Sequence, residues 1–409
     1  MSSALSGLRN HQTAIDVIGN DIANVSTVGY KQSSVVFSDV LSQTIGGASA
    51  PAGQTAGTNP AQVGLGSRLA GTVQSFAQGA LQRTGRPTDL AIQGDGFFII
   101  NNGTEQLYTR AGAFNIDGEG RLSTLDGLLV QGWQAGENGQ INTNLALGPI
   151  EIRAGDLLPP QQTTSIDFGG NLPSAAAIGE TSKLSLTTYD DQGEANLLTI
   201  TLEKTAANEW TATGEYGDPA VPVALTDAVL TFNGLGELVT PADRNINIAA
   251  GAIPRMTDAI TIELGAAGAP GRLTQYTSDE SAGVNSQNGS PSGVLTSFDI
   301  GQDGRVTGSY SNGRRGNIGQ VAIASFANPA GLERVAGSWR TSPNSGLTQI
   351  GTAAAGGRGL ISAGTLEMSN VDLAEEFTQL IVAQRGFQGN ARMITTSDEV
   401  LQEVVNLRR

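Results

Sequence analysis

Any chemistry in this chain must come from few side chains. His11 is the only histidine among 409 residues, and there is no cysteine. Triads built on those groups, thiolate catalysis, disulfides and His- or Cys-bearing zinc sites are therefore out of reach. Carboxylates stand side by side at Asp190-Asp191 and Glu375-Glu376. Sequence neighbours point apart on a helix or strand, so both pairs read as solvated charge. Asp299 to Tyr310 opens like a calcium loop, with Asp299, Asp303 and Gly304 at the first, fifth and sixth positions. Its third position is Gly301, and Tyr310 stands where a bidentate Glu is needed, which rejects it. Gly94-Asp95-Gly96 leads into Phe97-Phe98-Ile99-Ile100, a strand rather than a helix, and so reads as a tight turn and not a phosphate cradle. His11 reads as a tolerated interface residue. No catalytic, cofactor or metal constellation emerges.

The organised signal lies at the two ends. Leu366, Leu373, Leu380, Phe387, Ile394 and Leu401 repeat every seven residues, and Phe377, Ala391 and Val405 widen the stripe. Leu8, Ile15 and Ile22 repeat the spacing near the N-terminus, with Ile18 and Val25 three residues after the last two. So narrow a stripe suits a helix packed on another helix, within one molecule or between several. The N-terminal helix is predicted over 3–26, broken by Gly29. In the C-terminal helix Asp372, Glu375 and Glu376 favour the dipole, and Ser369 or Asn370 can cap. Gly386 and Gly389 inside that helix predict local bending or close helix contact.

Between the ends the chain changes character. Gly, Ala, Ser, Thr, Pro and Gln dominate Ser42–Ser67, and a second small-residue stretch runs from Gly351 to Gly359. Both read as connectors that bury too little to order themselves. The middle reads as β: Leu198–Glu203 and Ile260–Leu264 alternate with period two. Asp-Gly and Asn-Gly pairs at 117–118, 126–127, 138–139, 233–234, 303–304 and 312–313 predict tight hairpin turns. Phe114–Leu122 resembles Phe298–Val306, with a shorter echo at Phe232–Leu238, which reads as a hairpin unit used several times. The fold class expected is mainly β with terminal α-helices. Its parts are a 1–30 helix pairing with 366–409, linkers over 31–70 and 351–365, a β-rich middle domain of 71–164 plus 298–350, and an inserted outer β domain over 165–297.

Composition excludes several classes. A net charge of −15 and only 23 Lys and Arg against 38 Asp and Glu leave no basic surface for nucleic acid. No segment reads as membrane-spanning. The N-terminus lacks a basic region followed by an apolar run, so any export is expected to use no cleaved signal.

Gly19-Asn20-Asp21-Ile22-Ala23-Asn24-Val25-Ser26-Thr27-Val28-Gly29-Tyr30-Lys31 resembles the N-terminal signature of the bacterial flagellar rod and hook family. Gly94–Ile100 followed by Tyr108-Thr109-Arg110-Ala111-Gly112-Ala113-Phe114 is similar to its shared β-domain motif. Ser369–Ala374 and Gln384–Ala391 are similar to its C-terminal helix. The chain length, Tyr189–Gly193, Tyr310–Gly313 and Phe326–Leu332 look like the hook branch rather than the shorter rod proteins.

The resemblance implies a structural subunit, not an enzyme, without cofactor or metal. It would be exported through the flagellar type III apparatus and be extracellular, in the hook of the basal body. It would polymerise with itself into a flexible curved tube, a helical homopolymer coupling rod to filament and transmitting torque. Its partners would be other copies of itself, the rod, the hook cap and the hook–filament junction proteins, with no nucleic acid and no membrane insertion. The assembly residues would be those of the stripes: Leu8, Ile15, Ile18, Ile22, Val25, Leu366, Leu373, Phe377, Leu380, Phe387, Ile394 and Leu401. The alternatives are a distal rod or other axial protein, and, from another class, a secreted β-rich adhesin or phage-tail-like fibre.

Overall fold

The computed structural model describes residues 2–48, 50, 57–136, 138–217, 219–266 and 268–406. Parts of the expected 31–70 linker (Ser49 and 51–56) and the extreme ends of the terminal segments lie outside them. The chain divides into two compact units. The first comprises Met1–Arg153, Phe298–Gly308 and Asn317–Arg409, and the second Ala154–Ser297 with Ser309–Gly316.

The first unit holds both helices, α1 (Ser2–Ala23) and α2 (Leu373–Asn406). α1 stops well before Gly29. Asn24 folds its side chain onto the Asn20 carbonyl (2.8 Å), and the backbone N–H of Thr27 returns to the Asn24 carbonyl. α2 starts on Asp372, whose Oδ1 accepts the N–H groups of Ala374 (2.8 Å) and Glu375 (3.4 Å). Ser369 and Asn370, the expected caps, are engaged elsewhere.

Where the sequence predicts connectors, the structure has strands. Ser33–Asp39 pairs antiparallel with Ser67–Gln74, and Ser42–Gly46 with Ala61–Gly64. Ser67 bonds to Asn10 and Ser6, seating this hairpin on α1. Composition misleads here because the hairpin draws its burial from α1 and not from itself. At the other end Gln349–Thr352, Leu360–Ala363 and Thr365–Glu367 each pair with a strand of the same unit. The β part is built around Phe97–Asn101, which pairs with Gln106–Thr109, Leu129–Gln134 and Arg315–Ser325. Phe97 contacts Phe76, Phe326 and Trp339 with ring centroids 5.5–5.7 Å apart.

The second unit is a sandwich of two six-stranded sheets among the described residues. Thr181–Tyr189 and Glu209–Tyr216 alternate buried and exposed, as half-buried strands do. Leu184, Leu198, Ile200 and Trp210 of one sheet share a core with Ile166, Ile246, Ile248 and Ile262 of the other.

The recurring turn is longer than a two-residue hairpin. In each loop the N–H of the first residue donates to the carbonyl four residues on, and the glycine at the fourth position donates back. Among the described residues the loops start at Asp117, Thr124, Gly136, Asp190, Asn233, Gly301 and Tyr310. Their glycines (120, 127, 139, 193, 236, 304 and 313) have φ between +71° and +84°. This is a type I turn closed by a glycine bulge. At 117–118 and 233–234 it is therefore the glycine two positions later that takes the left-handed conformation. Asp117, Asp190 and Asn233 each accept two loop N–H groups on Oδ1, which explains the repeated motif. Asp190 is accordingly 1% exposed, not solvated.

Candidate assembly interface of the terminal helices

α1 and α2 lie side by side and antiparallel. A Cβ at Gly7 would sit 2.8 Å from Asn390 Nδ2, and one at Gly386 would sit 2.5 Å from the His11 ring. Gly386 is thus the close helix contact the sequence predicts, whereas Gly389 faces open space. Ala14, Ile18 and Ala383 are buried between the helices, flanked by Ile15, Ile22 and Leu380.

The expected stripe therefore divides. Ile15, Ile18, Ile22 and Leu380 meet inside the subunit. Leu8, Phe387 and Ile394 are half-buried. Leu373, Phe377 and Leu401 are 39%, 50% and 48% exposed. Leu366 is not helical: it lies in the strand Thr365–Glu367 opposite Gln82, because its heptad spacing to Leu373 spans the strand-to-helix turn. Val25 lies past the end of α1 and lines a recess with Ala80 and Val371.

Below the helix pair sits a polar knot that sequence reasoning missed. Glu367 Oε1 takes the Lys31 ammonium at 2.6 Å and the Gly79 N–H at 3.0 Å, and Arg110 Nη1 is 3.5 Å from Oε2. Both Lys31 and Glu367 side chains are fully buried. Burial pushes the Lys31 pKa down, and the hydrogen bond and charge of Glu367 oppose that shift. Lys31 also donates to the Ala77 carbonyl (2.7 Å). Gly29 donates to the Glu367 carbonyl (2.7 Å) with φ +69°, and a Cβ there would lie 2.4 Å from Ala111 N. Only glycine fits so close an approach.

A second layer joins α1 to α2. Tyr30 donates to Asp21 Oδ1 (2.7 Å), Ser33 N–H to Asp21 Oδ2 (3.0 Å), and Gln32 Nε2 to Glu376 Oε1 (2.5 Å). Asn370 accepts the Gln32 N–H and donates to the carbonyls of Ser75 and Ala77. Arg334 lies over the Tyr30 ring at 4.5 Å. Burial raises the pKa of Asp21 against its two hydrogen bonds. Burial also raises that of Glu376, and the charges of Asp21 and Glu375 add to the shift. Glu376 is 1% exposed, and its Oε2 has no hydrogen-bond partner among the described residues. The reading of Glu375-Glu376 as solvated charge fails for Glu376, which the helix turns inward onto Gln32.

The N-terminal, β-domain and C-terminal motifs meet in this knot through Lys31, Arg110 and Asn370. One signal was available: Lys31 and Arg110 are basic residues inside motifs rich in small residues. Their shared partner Glu367, 336 residues from Lys31, lies outside those motifs and was not legible. The arrangement holds helices and β part together by charge-assisted hydrogen bonds. No group of His, Cys, Asp and Glu able to hold a metal occurs among the described residues.

Comparison with known proteins agrees along the whole chain. Four family models match: "Flagella basal body rod protein" over 1–31, "Flagellar hook protein FlgE/F/G D1 domain" over 91–171, "Flagellar basal body protein FlaE D2 domain" over 161–290, and "Flagellar basal body rod FlgEFG protein C-terminal" over 362–407. The flagellar hook protein FlgE of Borreliella burgdorferi is 37% identical, covering 99% of this chain and 98% of that protein. That of Treponema pallidum is 36% identical, covering 100% and 99%. The crystal structure of Helicobacter pylori flagellar hook protein FlgE2 is similar in fold, with a TM-score of 0.52 at 14% identity over 70% of this chain and 100% of that one.

Proposed function

The chain belongs to the flagellar hook protein family, whose members are structural proteins, and from that premise we propose that it polymerises into a flexible curved tube joining rod to filament. Full-length identity to hook proteins of two organisms carries this reading. In the tube the helix pair forms the inner wall, the connecting hairpin and first β part lie outside it, and the 165–297 insert is outermost. Export by the flagellar type III route, contacts with rod, hook cap and junction proteins, and a purely mechanical role without catalysis belong to the same proposal. The exposed apolar residues of α2 support it, since a helix surface that stays apolar in the monomer needs a neighbour.

Transmitting torque while bending requires contacts that slide and do not lock. Small polar β surfaces meet that need better than broad apolar ones. The test is electron microscopy of the purified, concentrated protein and of hook-deficient cells expressing it. Tubes and restored motility are expected; absence of any polymer under both conditions would refute the reading.

A further inference from the structure

The first turn of α2 buries one acid beside another carried by α1. Asp21 is 0% exposed and Glu376 1%. Consecutive residues at the head of the strand Ser33–Asp39 hold them. Ser33 donates its N–H to Asp21 Oδ2, and Gln32 donates its side-chain amide to Glu376 Oε1. The two carboxyls thus flank a single backbone step, yet they are served unequally. Tyr30 satisfies Asp21 Oδ1, and Arg334 over the Tyr30 ring lends Asp21 positive charge. Glu376 has the one neutral donor, and its Oε2 meets no partner among the described residues. The charges that act on it are Asp21 across the junction and Glu375 on its own helix, both negative. An anion so placed is unfavourable, and one proton removes the cost.

We propose that Glu376 is a proton-operated latch between the start of α2 and the head of the hairpin that begins at Ser33. With the proton, the neutral carboxyl keeps Gln32 against α2 and lies beside Asp21 without repulsion. Without it, two anions share a dry junction. The relief is local: Glu376 turns to water, Gln32 loses its partner, and the first turn of α2 parts from the hairpin. Neither the aromatic cluster around Phe97 nor the core of the second unit contains these residues, so both stay closed. The native carboxyl holds its proton more tightly than the unfolded chain does. The latch is therefore shut in acid and opens as pH rises through the native value, above 4.5.

The test follows the full chain through the acid and neutral range. Carbon-13 NMR reads the glutamate carboxyls, and amide hydrogen exchange, expressed as protection factors, reads the junction. One carboxyl signal, absent from Glu376→Gln, should titrate above 4.5. Protection at Gln32, Ser33 and the first turn of α2 should fall about tenfold or more over the same range, and should hold in Glu376→Gln. Asp21→Asn should lower the midpoint and shrink the fall, because one of the two opposing charges is gone. A Glu376 carboxyl that titrates at its ordinary value would overturn the proposal, as would an equal fall in Glu376→Gln. Loss of protection at Phe97–Asn101 with the same midpoint would overturn it too, since the opening would then be global. Should Glu376→Gln fail to fold, the exchange midpoint of Asp21→Asn decides, and an unshifted one overturns the latch.

Discussion

At the scale of single residues, the knot beneath the helices sets the energetics. A buried ion pair is costly to break from one side, because the remaining charge stays uncompensated. Glu367→Gln leaves Lys31 and Arg110 facing each other without a full negative charge, and about 3–5 kcal/mol of subunit stability should be lost in denaturant unfolding. Lys31→Met in the same chain should restore part of that loss, since the two residues share one interaction. Glu376 behaves oppositely. Its native pKa lies above the ordinary 4.5, so the native state binds the proton more tightly than the unfolded chain. Its charge therefore weakens the fold above the native pKa, and the penalty is relieved as pH falls through that value to the ordinary one. Asp21, raised from 3.8, carries the same sign. Glu376→Gln should match or exceed the parent Tm at pH 7, and the gap should narrow as pH approaches 4.5. A Gln variant that melts lower at pH 7 would show that the charge is needed at this site.

Among the elements, the sequence reveals helices better than their ends and partners. The heptads locate α1 and α2, but the stripe runs through Leu366 because spacing cannot distinguish a strand that precedes a helix in phase. Ala14 and Ala383, buried between the helices, carry no heptad signal, since small residues mark close approach only once the partner is known. Strand 33–39 and the start of 67–74 fell inside the expected 31–70 linker although the two carry Val35, Val36, Phe37, Leu69 and Val73, since their pairing spans the small-residue stretch between them and their seat is α1. Two substitutions test the division of the stripe. Leu380→Ala removes packing inside the subunit and should lower monomer stability by about 2 kcal/mol, the low end for a leucine only partly buried. Leu401→Ala should change it by less than about 0.5 kcal/mol, as exposed sites do, while tube formation fails. Gly389→Ala meets nothing and should stabilise α2 by about 0.5–1 kcal/mol, which thermal unfolding of the monomer would register.

For the whole molecule, the insert decides how much of the chain a tube requires. Its core, from Ile166 to Leu273, is complete within the sandwich, so it can be removed without opening another core. Its ends are adjacent: Gln161 and Ser290 exchange backbone hydrogen bonds of 2.9 Å, and Asn288 Oδ1 accepts the N–H groups of Thr164 and Ser165. A short Gly/Ser linker from Gln161 to Ser290 therefore closes the gap with little strain, and loop closure costs little at that length. Both helices and the knot lie outside the deleted stretch. Cells carrying the deletion should still build tubes. In the tube proposed above the insert is the outer layer and has the longest lever arm on bending, so losing it should leave the tubes straighter or less regular and motility reduced. Electron microscopy of isolated hooks measures the presence and curvature of the tubes, and a swimming assay measures motility. No tubes at all would make the insert part of the assembly interface, and normal curvature would place the bending contacts in the first unit.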